Sequence, residues 1–104
     1  MIDLDPVRGH EQGRTRPAVI LSVDTFNSSK AGLVTVLPVT SKKKYDLPTH
    51  VRIDPPEGGL TAPSVILCDQ LRTVSKDRLI RRMGTVETVT LQKAEPVVRA
   101  LLGL

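Results

Sequence analysis

The apolar residues of this chain fall into short runs divided by polar, glycine and proline stretches. Pro17-Ala-Val-Ile-Leu-Ser-Val23 is a continuous apolar run and predicts a strand buried on both faces. Leu33-Val-Thr-Val-Leu-Pro-Val39 predicts a second, with Pro38 ending its ladder or marking an edge. Thr49-His-Val-Arg-Ile-Asp54 alternates polar and apolar side chains, as a half-solvated strand does. Ser64 to Leu71 is the strongest buried candidate after the first run, and Leu79 to Met83 predicts a last strand beyond a short connector at Ser75 to Asp77. Polar stretches separate these runs. Pro6 to Arg16 reads as a long exposed loop, Asp24 to Gly32 as a turn with one helical turn, and Thr40 to Pro48 as a basic loop. The tail from Thr88 to Leu102 is the single long helical candidate. Its stripe of Leu91, Ala94, Val98 and Leu101 suits a sheet end, and Pro96 predicts a kink or a division near Glu95. Short strands with Gly/Pro turns and a terminal helix describe a mainly β protein, a small β-barrel with an α appendage.

Length and composition narrow the class. A chain of 104 residues has room for one domain spanning 1–104. Its acidic N-terminus lacks the basic-then-apolar order of a signal peptide, and no apolar run approaches a membrane span. Cys68 is alone, which excludes an internal disulfide framework. These features predict a soluble cytoplasmic protein without membrane association. The formal charge of +4 is concentrated in two blocks, Lys42 to Lys44 and Arg72, Lys76, Arg78, Arg81 and Arg82. Such blocks suit phosphate contacts, and they equally suit solvated loops and strand faces. With Phe26 and Tyr45 the sole aromatics, a base-stacking platform is excluded. Any nucleic acid must be held by polar loops and backbone.

No phosphate-loop or dinucleotide motif is present, and one Cys with two histidines forty positions apart makes no zinc site. No cofactor or metal is expected. Cys68, inside an apolar run, reads as a small core residue rather than a nucleophile. The densest chemistry is Gly9-His10-Glu11-Gln12-Gly13-Arg14-Thr15-Arg16. Phosphodiester cleavage through the ribose 2′-OH needs a base, a cation for the phosphorane and an acid for the leaving 5′ oxygen. His10 or Glu11 has the chemistry for the protons and Arg16 for the phosphate oxygens. The same residues would also make a surface loop pinned by ion pairs. Thr40-Ser41 offers hydroxyl donors to a phosphate, or a turn start. Asp69, expected on a strand face between Leu67 and Leu71, is either a hydrogen-bonder of the fold or a site residue.

The blocks DLDP (Asp3 to Pro6), GHEQ (Gly9 to Gln12), RPAVILS (Arg16 to Ser22), Phe26-Asn27, PVTS (Pro38 to Ser41), CDQLRT (Cys68 to Thr73) and LIRRMGTV follow one another over nearly the whole chain. In this order they resemble the MazF/PemK/Kid toxins of bacterial type II toxin–antitoxin systems, the PemK/Kid branch in particular. The resemblance implies an SH3-like barrel that homodimerises and cleaves single-stranded RNA without metal, leaving 2′,3′-cyclic phosphate and 5′-hydroxyl ends. It implies Arg16, Thr40, Glu11 and His10 as catalytic, and Asp69 and Gln70 as substrate contacts. Ser41, Lys42, Arg14 and Arg72 are the accompanying candidates for holding RNA. A cognate antitoxin would lay an acidic segment across the basic 72–82 stretch.

Two departures stand out. The Kid branch carries an arginine two residues before its aspartate, where this chain has Leu67. Arg16 is then the candidate for stabilising the phosphorane and for protonating the leaving oxygen, and because a guanidinium is a poor proton donor or acceptor, Glu11 or His10 is the candidate for the other proton. Met1-Ile2 stands where the family usually has several residues before DLDP, so either the first strand is shortened or the start site is truncated, and both would weaken the barrel edge and open it to pairing. Two rival readings share the fold: a non-catalytic binding protein akin to the gyrase-poisoning toxins, and a degenerate, silent toxin. A protein-binding module has no need of the set His10, Glu11, Arg16 and Thr40.

Overall fold

The computed structural model describes residues 1–4, 15–42 and 47–104. Its strands are β1 (Ile2–Asp3), β2 (Thr15–Arg16), β3 (Ala18–Ile20), β4 (Leu33–Thr40), β5 (His50–Ile53), β6 (Ser64–Leu67) and β7 (Arg72–Ser75). Two helices accompany them, α1 (Asp24–Asn27) and α2 (Thr88–Leu102). The mainly β architecture with a C-terminal helix is the one predicted. Its ladders run β3-β4-β6-β5, with β7 also on β4 and β1 paired to β2, and they do not close into a ring among the described residues.

All pairings are antiparallel, and β4 is the hub. Its first half pairs with β7, from Leu33↔Ser75 to Val36↔Arg72, and its middle pairs on the other side with β3, from Ile20↔Val36 to Ala18↔Pro38. Its last two residues pair with β6, as Val39↔Ile66 and Thr40↔Val65. Pro38 falls in the changeover. The Val39 N–H donates to Pro17 O and Thr35 O accepts from Leu21 N–H, so odd residues bond toward β3. Pro38 therefore turns its missing N–H toward the side where β4 leaves β7 and meets β6. The proline costs no ladder bond, and the strand continues through it instead of ending there.

Alternation along β4 divides the core in two. Leu37 and Val39 join Val19, Ile53, Ile66 and Cys68 beneath α2. Val34 and Val36 join Ile2, Leu4 and Val74 on the other face. Double-sided burial thus belongs to the second apolar run. The first run forms only the short β3 at the end of the path, and Ile20 is 47% exposed there. An apolar run shows that a strand is buried, while pairing order decides which strand is central.

Three further expectations are corrected. β6 ends at Leu67 and a 3₁₀ turn, Cys68–Gln70, follows, so Asp69 is exposed and does not share a strand face with Leu67 and Leu71. No strand forms over 79–83. Leu79 makes one bridge to Ile2, Ile80 N–H donates to Met1 O, and the final strand is instead β7. α2 is a single helix through Pro96, because Pro96 and Gln92 both lie on its exposed side and the carbonyl deprived of its partner meets water. Its buried stripe is Thr90, Ala94 and Val98, with Leu91 and Leu101 more exposed than expected. Groups outside the regular helix bond at both ends of α2. Glu57 Oε2 accepts from the Glu87 N–H, and left-handed Gly103 lets the Gly103 and Leu104 N–H groups cap Ala100 and Arg99 carbonyls.

The first strand is two residues long, and both of its sides are engaged. Ile2 is fully buried, pairs with Arg16 and bridges Leu79, while the Met1 ammonium donates to Arg81 O at 3.0 Å. Arg72 and Arg78 donate to the Leu4 and Asp3 carbonyls. Two cations of the basic block thereby anchor the N-terminal segment.

The segment after Arg82 crosses the 57–59 turn in backbone-to-backbone contact. A Cβ on Gly59 would lie 2.2 Å from the Met83 carbonyl oxygen, whereas one on Gly58 would meet nothing within 4 Å. Both have positive φ, so each alanine incurs the left-handed penalty of about 1–2 kcal/mol. Gly59→Ala should destabilise by about 3 kcal/mol or more, well beyond Gly58→Ala, as read from urea unfolding midpoints.

Candidate active site

β2 runs through Pro17 into β3, and β3 is registered on β4 as Ala18↔Pro38. The Val39 N–H to Pro17 O bond carries that register one step further. The next cross-strand neighbours are Arg16 and Thr40, and Arg16 Nη1 donates to Thr40 Oγ1 at 3.2 Å. Residues twenty-four positions apart thus meet because the hairpin register places them opposite each other.

Thr40 is 5% exposed, and its hydroxyl oxygen also accepts from the Lys42 N–H at 3.1 Å. A hydroxyl has two acceptor lone pairs and one proton. With both lone pairs engaged, its remaining capacity is to donate. A guanidinium and a hydroxyl committed to donation form a pair suited to a phosphoryl oxygen and unsuited to a cation.

Lys42 and Ser41 are exposed beside this pair. Arg72 is not among the residues brought to it by any contact seen here, since its guanidinium is half-buried on the Leu4 carbonyl. His10, Glu11 and Arg14 lie outside the described residues.

Asp69 sits elsewhere along the same sheet. It lies in the 3₁₀ turn that follows β6, four positions beyond Val65, the partner of Thr40. Its Oδ2 accepts from Thr49 Oγ1 at 2.9 Å and faces His50 Nε2 at 4.0 Å. β5 sets this up. Its register His50↔Leu67 and the Cys68 N–H to Thr49 O bond bring the start of β5 against the turn that holds Asp69 and half-buried Gln70. His50 was not marked by sequence reasoning. A polar residue at the head of an alternating strand looks ordinary, and the available signal was two hydrogen-bonding residues, Thr49-His50, side by side.

Cys68 is 1% exposed in the core, and burial pushes its thiol up to about 11, with the neighbouring Asp69 carboxylate adding to the rise. It is the core residue expected, and a thiol held neutral at ordinary pH is no nucleophile. Folding favours the protonated form, so this group's contribution to stability declines as pH rises from about 9 toward 11. At pH 8 the native protein should react with a thiol reagent at least tenfold more slowly than in 6 M guanidinium, where one thiol per chain becomes available.

A largely apolar groove of about 680 Å³ lies between β3 and the 79–86 segment, lined by Ile20, Leu79, Ile80 and Met83 among others. Neither Arg16, Thr40 nor Asp69 lines it. No helix among the described residues is long and apolar enough to cross a membrane.

Fold and site together define a small antiparallel β protein that carries an anion-directed guanidinium–hydroxyl pair at one end of its central strand. The PemK-like, MazF-like toxins of type II toxin–antitoxin systems match residues 1–102, and the chain belongs to this family. It is 34% identical over 104 residues to "Endoribonuclease MazF" of Staphylococcus saprophyticus, an alignment covering 100% of this chain and 87% of that relative. The crystal structure of MazF from Deinococcus radiodurans superposes with a TM-score of 0.85 at 31% identity, covering 99% of this chain and 90% of that one. A MazE-MazF crystal structure from the same organism gives a TM-score of 0.79 at 30% identity, with 99% and 89% covered.

Proposed function

We propose that the chain is the endoribonuclease toxin of a type II toxin–antitoxin system, and that it cuts single-stranded RNA at selected sequences by metal-independent transesterification at the Arg16–Thr40 pair. The contact between Arg16 Nη1 and Thr40 Oγ1 carries this reading. The reaction is balanced by groups of the chain and the RNA. The 2′-OH loses its proton to a base and its oxygen bonds to phosphorus. The bond from phosphorus to the 5′ oxygen breaks, and an acid protonates that oxygen. The products are a 2′,3′-cyclic phosphate and a 5′-hydroxyl.

Charge builds on the non-bridging oxygens of the phosphorane. There the Arg16 guanidinium and the Thr40 hydroxyl proton supply donors held in place by the sheet before substrate arrives. His10 and Glu11 are assigned the two proton transfers, Leu67 being unable to act as the acid. Ser41, Lys42 and Arg14 hold flanking phosphates, and Asp69 and Gln70 contact the strand farther along.

The active form is a homodimer in the cytoplasm, for which exposed Ile20, Val23 and Ile80 supply apolar surface. A cognate antitoxin silences it, a reading supported by the MazE-MazF crystal structure of the similar Deinococcus radiodurans protein. Exposed Lys76, Arg81 and Arg82 are the cations that would meet an acidic antitoxin segment, whereas Arg72 and Arg78 are occupied at the N-terminal strand.

In EDTA, Arg16→Ala should lower cleavage of a long single-stranded RNA by at least ~100-fold while antitoxin affinity changes only a few-fold. Thr40→Val should fall nearly as far, and Thr40→Ser, which keeps the hydroxyl, should recover most of the activity. Unchanged cleavage by Arg16→Ala, or loss of cleavage by wild type on metal removal, would overturn the assignment.

A further inference from the structure

The cluster at the start of β5 lies away from the reacting pair and has a polarity of its own. Asp69 Oδ2 is held by the Thr49 hydroxyl at 2.9 Å and faced by His50 Nε2 at 4.0 Å. Its other oxygen, Oδ1, has no partner among the described residues, and the side chain is 31% exposed. The His50 side chain is only 14% exposed, and its Nδ1 is buried without a hydrogen-bond partner among the described residues. Buried polar atoms are ordinarily satisfied. An imidazole whose inner nitrogen has no partner among the described residues, and whose outer nitrogen stands just beyond hydrogen-bond distance of a carboxylate, is poised to close on it. Such contacts commonly tighten when substrate binds.

We propose that Thr49, His50 and Asp69 form a base-reading subsite, in which Asp69 Oδ1 accepts from the exocyclic amino group of one unpaired base while Thr49 and His50 hold the carboxylate. The inference rests on the ribonuclease reading and adds the chemistry that this end of the sheet selects. A carboxylate is acceptor-only, so it favours the amino groups of cytosine, adenine and guanine. Uracil places carbonyl oxygens at the corresponding edge positions and is repelled. Unstacked single-stranded bases expose these edges, and with two aromatics in the chain, hydrogen bonding must do what stacking does elsewhere. Asp69 is the specificity determinant, and His50 is a positioning residue that acts through it.

The experiment pairs protein variants with single-atom changes in RNA. The cleavage motif of the wild type is mapped, and at each motif position the amino group is deleted (cytosine to 2-pyrimidinone, adenine to purine, guanine to hypoxanthine), with uracil as the further strand that puts a carbonyl in its place. Affinity is measured in parallel on the same strands with 2′-deoxyribose at the cut site, which cannot react. At one position, deletion should cost wild type roughly tenfold to a hundredfold in kcat/KM and in affinity. Asp69→Asn, isosteric at a half-exposed turn, should lose that discrimination and accept uracil there. His50→Ala should weaken discrimination at the same position only, His50→Gln should restore part of it, and His50→Ala should add nothing in an Asp69→Asn background.

Equal losses on every strand, or discrimination unchanged in Asp69→Asn, would overturn the subsite while leaving the ribonuclease intact. A wild type that cuts no RNA would overturn the ribonuclease reading. In that case, discrimination in affinity that disappears in Asp69→Asn would still support the subsite, and its absence would overturn it.

Discussion

The structure depends on one strand being buried on both faces and changing partners partway along. β4 carries Leu37 and Val39 into the core under α2, and Val34 and Val36 into the core under the N-terminal strand. β3, β6 and β7 pair with it directly, and β5 pairs with β6. The changeover between β7 and β6 falls at Pro38, the one residue of β4 without an N–H to lose. A ladder interrupted at that point leaves no orphaned donor, and the last two residues are free to turn toward β6. Thr40 is the end of that excursion.

The candidate site is a consequence of this geometry. The β3–β4 register, extended by the Pro17 carbonyl to Val39 bond, sets Arg16 opposite Thr40. Arg16 also pairs with Ile2, so the guanidinium is borne by backbone fixed on both sides. Preorganisation of this sort is what an electrostatic site requires, since donors that must be gathered during the reaction forfeit much of their effect. On the opposite flank, β6 and β5 carry the same sheet outward to Asp69, Thr49 and His50. A chemistry centre and a recognition centre on one rigid sheet would fix the distance between the cut and the base that is read.

Much of the site was legible before the fold. The polar stretch ending in Arg16, which closes in β2 instead of a loop, the Thr40-Ser41 pair and the CDQLRT block were each visible as sequence. His50 was not, because nothing in a Thr-His-Val-Arg-Ile alternation separates an ordinary strand head from a side chain aimed at a carboxylate nineteen residues later. Arg72 and Arg78 read as phosphate contacts from charge alone, whereas their guanidiniums are engaged by main-chain carbonyls near the N-terminus. Charge in a sequence reports availability. Only neighbours decide whether a cation is already spoken for.

By itself the sequence determined the strand-rich class, the single C-terminal helix and the burial of Cys68, and it named candidates for phosphodiester chemistry, because period, turn residues and side-chain type are local properties. Tertiary structure alone decided which apolar run became the central strand, that β6 yields to a 3₁₀ turn before Asp69, that Pro96 stays within one helix, and that His50 faces Asp69. Each of those outcomes turns on which backbone groups find partners from distant parts of the chain. That choice is made by pairing and packing across the whole molecule, and no window of sequence contains it.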